Sequence, residues 1–151
     1  MTEGGRLGGV HEYRLRILER HLDSYGHVNN AAYLEILEEA RWDLITRNGY
    51  GFDEVHRRKI GPIVLDVHMR FVRELRNRQE VTIRSWVDSY PGKVGKFAQQ
   101  ILDDAGDLCC DAQFTIGLFD LTARRLIRPT PEWVSGLGLR PEDLAADDRG
   151  K

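Results

Sequence analysis

Hydrophobic and polar residues alternate over 11–19, with Tyr13, Leu15 and Ile17 on one side and Glu12, Arg14 and Arg16 on the other. That period of two predicts a strand. HLDSYGHVNN (21–30) breaks the pattern and reads as a loop. From Ala31 to Asn48 the spacing turns helical, with Tyr33, Leu37, Ala40 and Leu44 at i, i+4, i+7 and i+11. Asn29 or Asn30 can cap its start, and Gly49 stands where a glycine ends a helix. Ile36, Trp42 and Ile45 widen the apolar surface beyond one stripe, so the helix is expected to be buried on more than one side.

After a basic connector, HRRK (56–59), alternation returns. Ile63, Leu65, Val67, Met69 and Phe71 share one face, and Asp66, His68 and Arg70 the other. Val81, Ile83 and Val87 repeat the device. YPGK (90–93) is a turn, 94–102 a strand and DDAGD (103–107) a hairpin connection. A last strand carries Leu108, Cys110, Ala112, Phe114, Ile116 and Leu118 on one side. One long helix among about five antiparallel strands predicts an α+β fold, a curved sheet wrapped around that helix. No GxGxxG follows a strand and the strands do not alternate with helices, which excludes a dinucleotide-binding fold.

The chain has 151 residues, the size of one domain. The body is taken as 10–140, flanked by a glycine-rich tail (1–9) and an acidic tail (141–151), both expected to be loose. Its two cysteines, Cys109 and Cys110, are adjacent and build no disulfide framework. They should fall on opposite faces of a strand, one of them buried, which suits a reducing cytoplasm. No apolar run reaches the ~18 residues of a membrane span, and MTEGGRLGG lacks the apolar core of a signal peptide. With 22 basic and 24 acidic residues, the chain is no general polyanion binder, and no aromatic stacking pattern points to nucleic acid. Charge is uneven, however. Between His56 and Arg84 eight Lys and Arg stand against Asp66, Glu74 and Glu80. Such a patch fits either a protected strand edge or a phosphate contact, for which Arg57, Arg58 and Lys59 are the candidates.

HLDSYGHVNNAAYLEILEEARWDL (21–44) resembles the signature of hotdog-fold acyl-CoA thioesterases, the 4-hydroxybenzoyl-CoA thioesterase superfamily, and most of all its bacterial long-chain type. The resemblance extends more loosely from Ile63 to Asp120. It implies a hotdog fold and hydrolysis of medium- to long-chain acyl-CoA to free acid and coenzyme A, with no cofactor. In the family's Asp-dependent branch the catalytic carboxylate lies three residues before a glycine and ten before a tyrosine, a spacing met by Asp23, Gly26 and Tyr33. The family's backbone oxyanion donor maps to Asn30. Plant acyl-carrier-protein thioesterases share the HVNN block and use a histidine matching His27, but carry asparagine where this chain has Tyr25. That departure favours Asp23 as the catalytic group. The resemblance also implies a homodimer or homotetramer whose active sites use both chains.

The chemistry is economical. A thiol of pKa ~8.5 leaves without strong protonation, so one carboxylate can suffice. Asp23 would act as general base toward water or as a nucleophile, while free amides at the helix start stabilise the oxyanion. The plainer alternatives are a turn role for Asp23, N-cap chemistry for Asn29 and Asn30, and a loop cap or orienting role for His27. His21, Asp23 and His27 together also mimic a metal set of two histidines and a carboxylate, although the thioesterase reading accounts for them without metal. A hotdog hydratase would set Asp and His five apart around a proline; here they are four apart with none between. A non-catalytic acyl-CoA-binding protein is the third reading.

Overall fold

The eighteen-residue helix α1 (Asn30–Arg47) occupies the place expected of it. Asn29 caps its start, its side chain accepting from the Ala31 N–H at 2.8 Å. At the other end Gly49 turns the chain with φ +86°, and the Tyr50 N–H closes back on the Ile45 carbonyl at 2.7 Å. Tyr33, Leu37, Ala40 and Leu44 are all buried, as are Ile36 and Ile45, so two adjoining stripes face the interior.

The computed structural model describes residues 6–149. Around α1 lie β1 (Leu7–Arg16), a 3-10 turn (Glu19–His21), α2 (Phe52–Arg58), β2 (Ile60–Phe71), β3 (Glu80–Ser89), β4 (Val94–Leu102), β5 (Leu108–Asp120), β6 (Arg125–Ile127), α3 (Pro131–Gly136) and α4 (Pro141–Arg149). The strands make one antiparallel sheet in the order β1-β3-β4-β5-β2, with β6 paired to the end of β5. The α+β class and the sheet around a long helix are as expected; the strand number is six, because the three-residue β6 is too short to show a period.

The core lies between α1 and the inner face of β3, β4 and β5, where Ile83, Phe97, Ile101, Phe114 and Leu118 are buried. At its heart Gln99 of β4 is fully buried and fully bonded. Its amide nitrogen donates to the Leu37 carbonyl at 3.0 Å and to Ser85 Oγ at 2.9 Å, while its oxygen accepts from Arg41 Nη1 at 3.0 Å. This one side chain pins the helix over the sheet, since a buried amide left unbonded costs about 1–3 kcal/mol. Behind the last strand α3 seals one end. Thr130 caps it and Pro131 opens it; Trp133 stacks edge-on against Tyr50 at 5.5 Å and donates to Tyr90 Oη at 3.3 Å. Tyr90 in turn lies over Gly95, where a Cβ would sit 2.6 Å from its ring.

Three expectations change. Both cysteines are buried rather than one, and the chain after β2 runs against β5 there: the Val72 and Arg73 N–H groups both reach the Cys109 carbonyl. The segment read as a C-terminal tail carries α4 over 141–149, opened by Pro141 and tied to the body by Asp147, which accepts from the Tyr90 N–H at 2.6 Å. At the other end β1 starts at Leu7, inside the tail expected over 1–9; residues 1–5 of that tail, and 150–151 of the other, lie outside the described residues.

The third change concerns β2. It is an edge strand, paired only with β5. Its register shifts between Val64 and Asp66, so an extra residue at Leu65 interrupts the alternation. Val64, Leu65, Val67, Phe71 and the following Val72 are each 40–53% exposed. Part of the apolar face that the spacing marks on this strand, Leu65 and Val67, is therefore presented to solvent, while Met69 packs on the core and Phe71 meets Tyr33 of α1.

Candidate active site

The turn between Leu22 and Val28 is closed by backbone and by one side chain. Leu22 and Val28 bridge, the Asp23 N–H donates to the His27 carbonyl at 2.7 Å, and the Gly26 N–H donates to the Asp23 carbonyl at 3.1 Å. Asp23 Oδ1 accepts from the N–H groups of Tyr25 (2.9 Å) and His27 (3.0 Å). Gly26 completes the turn at φ +83°, a conformation that costs a side-chain-bearing residue about 1 kcal/mol or more. The Asn29 N–H then reaches the His21 carbonyl at 2.9 Å, and the chain enters α1. Asp23 is fully exposed; the His27 N–H, with that of Tyr25, holds its carboxyl below the ordinary aspartate value. It is ionised at neutral pH, with Oδ2 uncommitted among the described residues.

This turn borders a groove of about 340 Å³ lined by His27, Val28, Asn30, Tyr33, Phe71 and Arg73, with Val72 and Glu74 completing it. Tyr33 and Phe71 meet edge to face at 4.9 Å, and His27 Nε2 lies 3.4 Å from Glu74 Oε1. Asn29 takes the N–H groups of Ala31, Ala32 and Tyr33, and no acceptor among the described residues engages the Asn30 N–H. The first turn of α1 thus offers a free donor at its electropositive end, in the groove wall. Such an arrangement can hold a carbonyl oxygen as it gains negative charge.

Asn30 and His27 both line this groove. Asp23 is joined to them through the His27 backbone and stands at the rim, outside the groove wall. Arg57, Arg58 and Lys59 are not part of it. Arg57 and Arg58 both grip Glu54, at 2.9 and 2.6 Å, and Lys59 ends α2 in the left-handed region at φ 58°. Lys59 lines a separate apolar hollow with Trp42, Phe52 and Pro62. His21 does not join Asp23 and His27 in a metal set either. Its ring is buried, Nδ1 accepts from the Leu18 N–H at 2.9 Å, and it borders a hollow with Arg20, Glu35 and Glu39. Residues missed by sequence reasoning are Arg73 and Glu74, which the loop after the edge strand swings opposite His27. Their only signal is membership of the uneven charge run between His56 and Arg84.

A second cavity, about 330 Å³, opens further along α1 between Trp42, Ile45, Ile63, Phe97 and Trp133. Arg41 and Glu38 are its charged wall residues. The Arg41 guanidinium lies 4.3 Å over the Phe114 ring, and burial pushes it down to about 10, with the nearby Glu38 charge acting the other way.

With this architecture in view, comparison with known proteins is direct. Residues 18–137 match the model of the thioesterase-like superfamily, and the chain belongs to that superfamily, a thioester hydrolase by class. It is 34% identical over 115 residues to the long-chain acyl-CoA thioesterase FadM of Escherichia coli, spanning 76% of this chain and 86% of that one. The crystal structure of the YbaW probable thioesterase from Escherichia coli superposes with a TM-score of 0.73 at 31% identity, covering 83% of this chain and 95% of that one. The Staphylococcus aureus protein SAV2348, solved in complex with CoA, shares the fold at a TM-score of 0.80 and 13% identity, over 91% of this chain and 87% of that one. Among the described residues no helix is long and apolar enough to cross a membrane.

Proposed function

We propose that this chain hydrolyses medium- to long-chain acyl-CoA thioesters, with Asp23 as the catalytic carboxylate and the Asn30 N–H as oxyanion donor. The observation that carries this reading is the free Asn30 N–H at the start of α1, in a groove bordered by an ionised carboxylate. The likeness to FadM, an acyl-CoA thioesterase, and to a fold neighbour that holds CoA supports the substrate class.

In the general-base route Asp23 Oδ2 takes a proton from water as the water oxygen attacks the thioester carbon. The carbonyl oxygen gains charge against the Asn30 N–H, and collapse of the tetrahedral species expels the thiolate. In the nucleophilic route Oδ2 attacks the thioester carbon and the thiolate is expelled, and water then cleaves the resulting anhydride to the free acid and the regenerated carboxylate. Both routes use the two N–H bonds to Oδ1, which fix the carboxylate and leave Oδ2 outward. A preorganised donor of this kind is worth on the order of 10²–10³ in rate. His27 borders the reacting carbonyl and, paired with Glu74, orients the thioester.

The acting unit is a homodimer, or a tetramer of two such dimers, formed in the reducing cytoplasm. Edge strand β2 and the Val72 that follows it expose five apolar residues beside unpaired backbone, a surface that a second copy would cover by extending the sheet. Phe71 and Val72 belong both to this edge and to the groove, so the partner would wall the site. Arg57, Arg58 and Lys59 would then meet the phosphates of coenzyme A bound by the neighbouring protomer.

The test is Asp23→Asn in thiol release from dodecanoyl-CoA and hexadecanoyl-CoA. The expected loss is about 10²–10⁴ in kcat, the scale of removing a general base, with an unchanged melting temperature. A folded variant that keeps full turnover overturns the assignment.

A further inference from the structure

The second cavity has polarity that a hydrocarbon does not need. Arg41 follows Asn30 by eleven positions, about 16 Å along the helix at ~1.5 Å per residue. Around the cavity Trp42, Ile45, Ile63 and Phe97 are apolar, and its volume lies at the lower end of ordinary ligand pockets. Into this wall α1 sets a donor and an acceptor three residues apart, Arg41 and Glu38. Arg41 spends one N–H on Gln99 and stacks on Phe114, and no carboxylate among the described residues lies within ion-pair reach of it. Glu38 is close enough for its charge to be felt at Arg41, but the two do not touch.

A plain acyl chain filling this space would cover the Arg41 donors that Gln99 does not take and the cavity side of the exposed Glu38, and would bond to neither. An anion gains from Arg41 and is repelled by Glu38, since the two charges cancel. A hydroxyl satisfies both. The geometry points to an aliphatic acyl chain carrying a hydroxyl near its far end as the ligand of this cavity, the oxygen accepting from Arg41 and its proton donated to Glu38. This selectivity rests on the thioesterase reading of the Asn30 groove, with the thioester held at the start of α1 and the hydroxyl three turns away.

Trp42 and Trp133 stand in the cavity wall, so tryptophan fluorescence reports occupancy without turnover. Titration of the full chain with ω-hydroxydodecanoate and ω-hydroxyhexadecanoate should give affinities about tenfold tighter than with the matching unsubstituted acids. Arg41→Met and Glu38→Ala should each erase the difference. Arg41→Met removes a bond from buried Gln99, and Glu38→Ala, at an exposed position, decides the matter if the first variant fails to fold. Equal affinities, tighter binding of the plain acids, or tighter binding of the dicarboxylic acids of the same length would each overturn the proposal. In parallel, thiol release from ω-hydroxydodecanoyl-CoA and dodecanoyl-CoA is measured. Absence of release from both defeats the thioesterase reading alone, because the cavity is judged by the free acids.

Discussion

The two ends of α1 are built on different principles. At its start, the Asp23 turn and the helix cap depend on contacts within a dozen residues: Asp23 bonds to Tyr25 and His27, Asn29 to Ala31, and Gly26 supplies the left-handed turn. Toward its end, the second cavity gathers side chains from α1, β2, β4, β5 and α3. Local hydrogen bonding sets reactive groups to within tenths of an ångström and tolerates a loose surrounding. Long-range packing sets the shape of a volume and has little to do with any one bond. Under the proposed reading, chemistry at one end and selection at the other should therefore be separable by mutation.

The largest separable effect is expected at Leu37, buried beneath the helix between the two regions. Leu37→Ala should cost about 2–5 kcal/mol of stability by cavity formation, read as a lowered urea midpoint. Turnover at a temperature where the variant is folded should stay near wild type, since the Asp23 turn does not rest on Leu37. Loss of turnover in the folded variant would merge the two regions into one. Next comes Asn29→Ala, which removes the cap of α1 and should cost about 0.5–2 kcal/mol. Here kcat should fall as well, because the freed Ala31 N–H draws water to the start of the helix where Asn30 must act. A cap mutant with reduced stability and full kcat would detach the helix start from catalysis.

The smallest effect is one of pH. Burial, and then the charge of Arg20, hold the His21 imidazole below its ordinary value. Its stabilising contribution is complete above the unfolded value of ~6.5 and is lost as pH falls through the lower folded value. Melting temperature should therefore decline from pH 7 toward pH 5, with a shallower slope in His21→Gln. The acid limb of activity is a separate matter: with Asp23 held low by its N–H bonds, its ionised form persists below the ordinary ~3.9.

Legibility in the sequence follows the same division. Helical spacing and Gly49 mark α1 to within a residue at each end, because its period is long and its stop is a glycine. The turn at 21–30 is read from a contiguous motif, and its Asn30 and His27 do share a groove. Short elements escape. The seven-residue α2 lies partly inside what reads as a basic connector, and its arginines are absorbed by Glu54 at i+3 and i+4. α3 did have a signal, Thr130 followed by Pro131, the cap and first position of a helix. The exposure of β2 has no local signature: period two reports a two-faced strand and is silent on whether anything covers either face. Arg73, Glu74 and the Arg41–Gln99 bond depend on register between distant segments, which a single sequence does not display.

The placement of Phe71 and Val72 has a consequence for how such a protein can change. Each is at once wall of the groove and margin of the sheet. Under the dimer reading, a substitution that tunes the pocket also alters the fit between copies, and one that tightens the fit reshapes the pocket. Drift at these two positions is therefore constrained twice, whereas Trp42 and Ile45, set back on the helix, answer to the core and the second cavity and not to that margin.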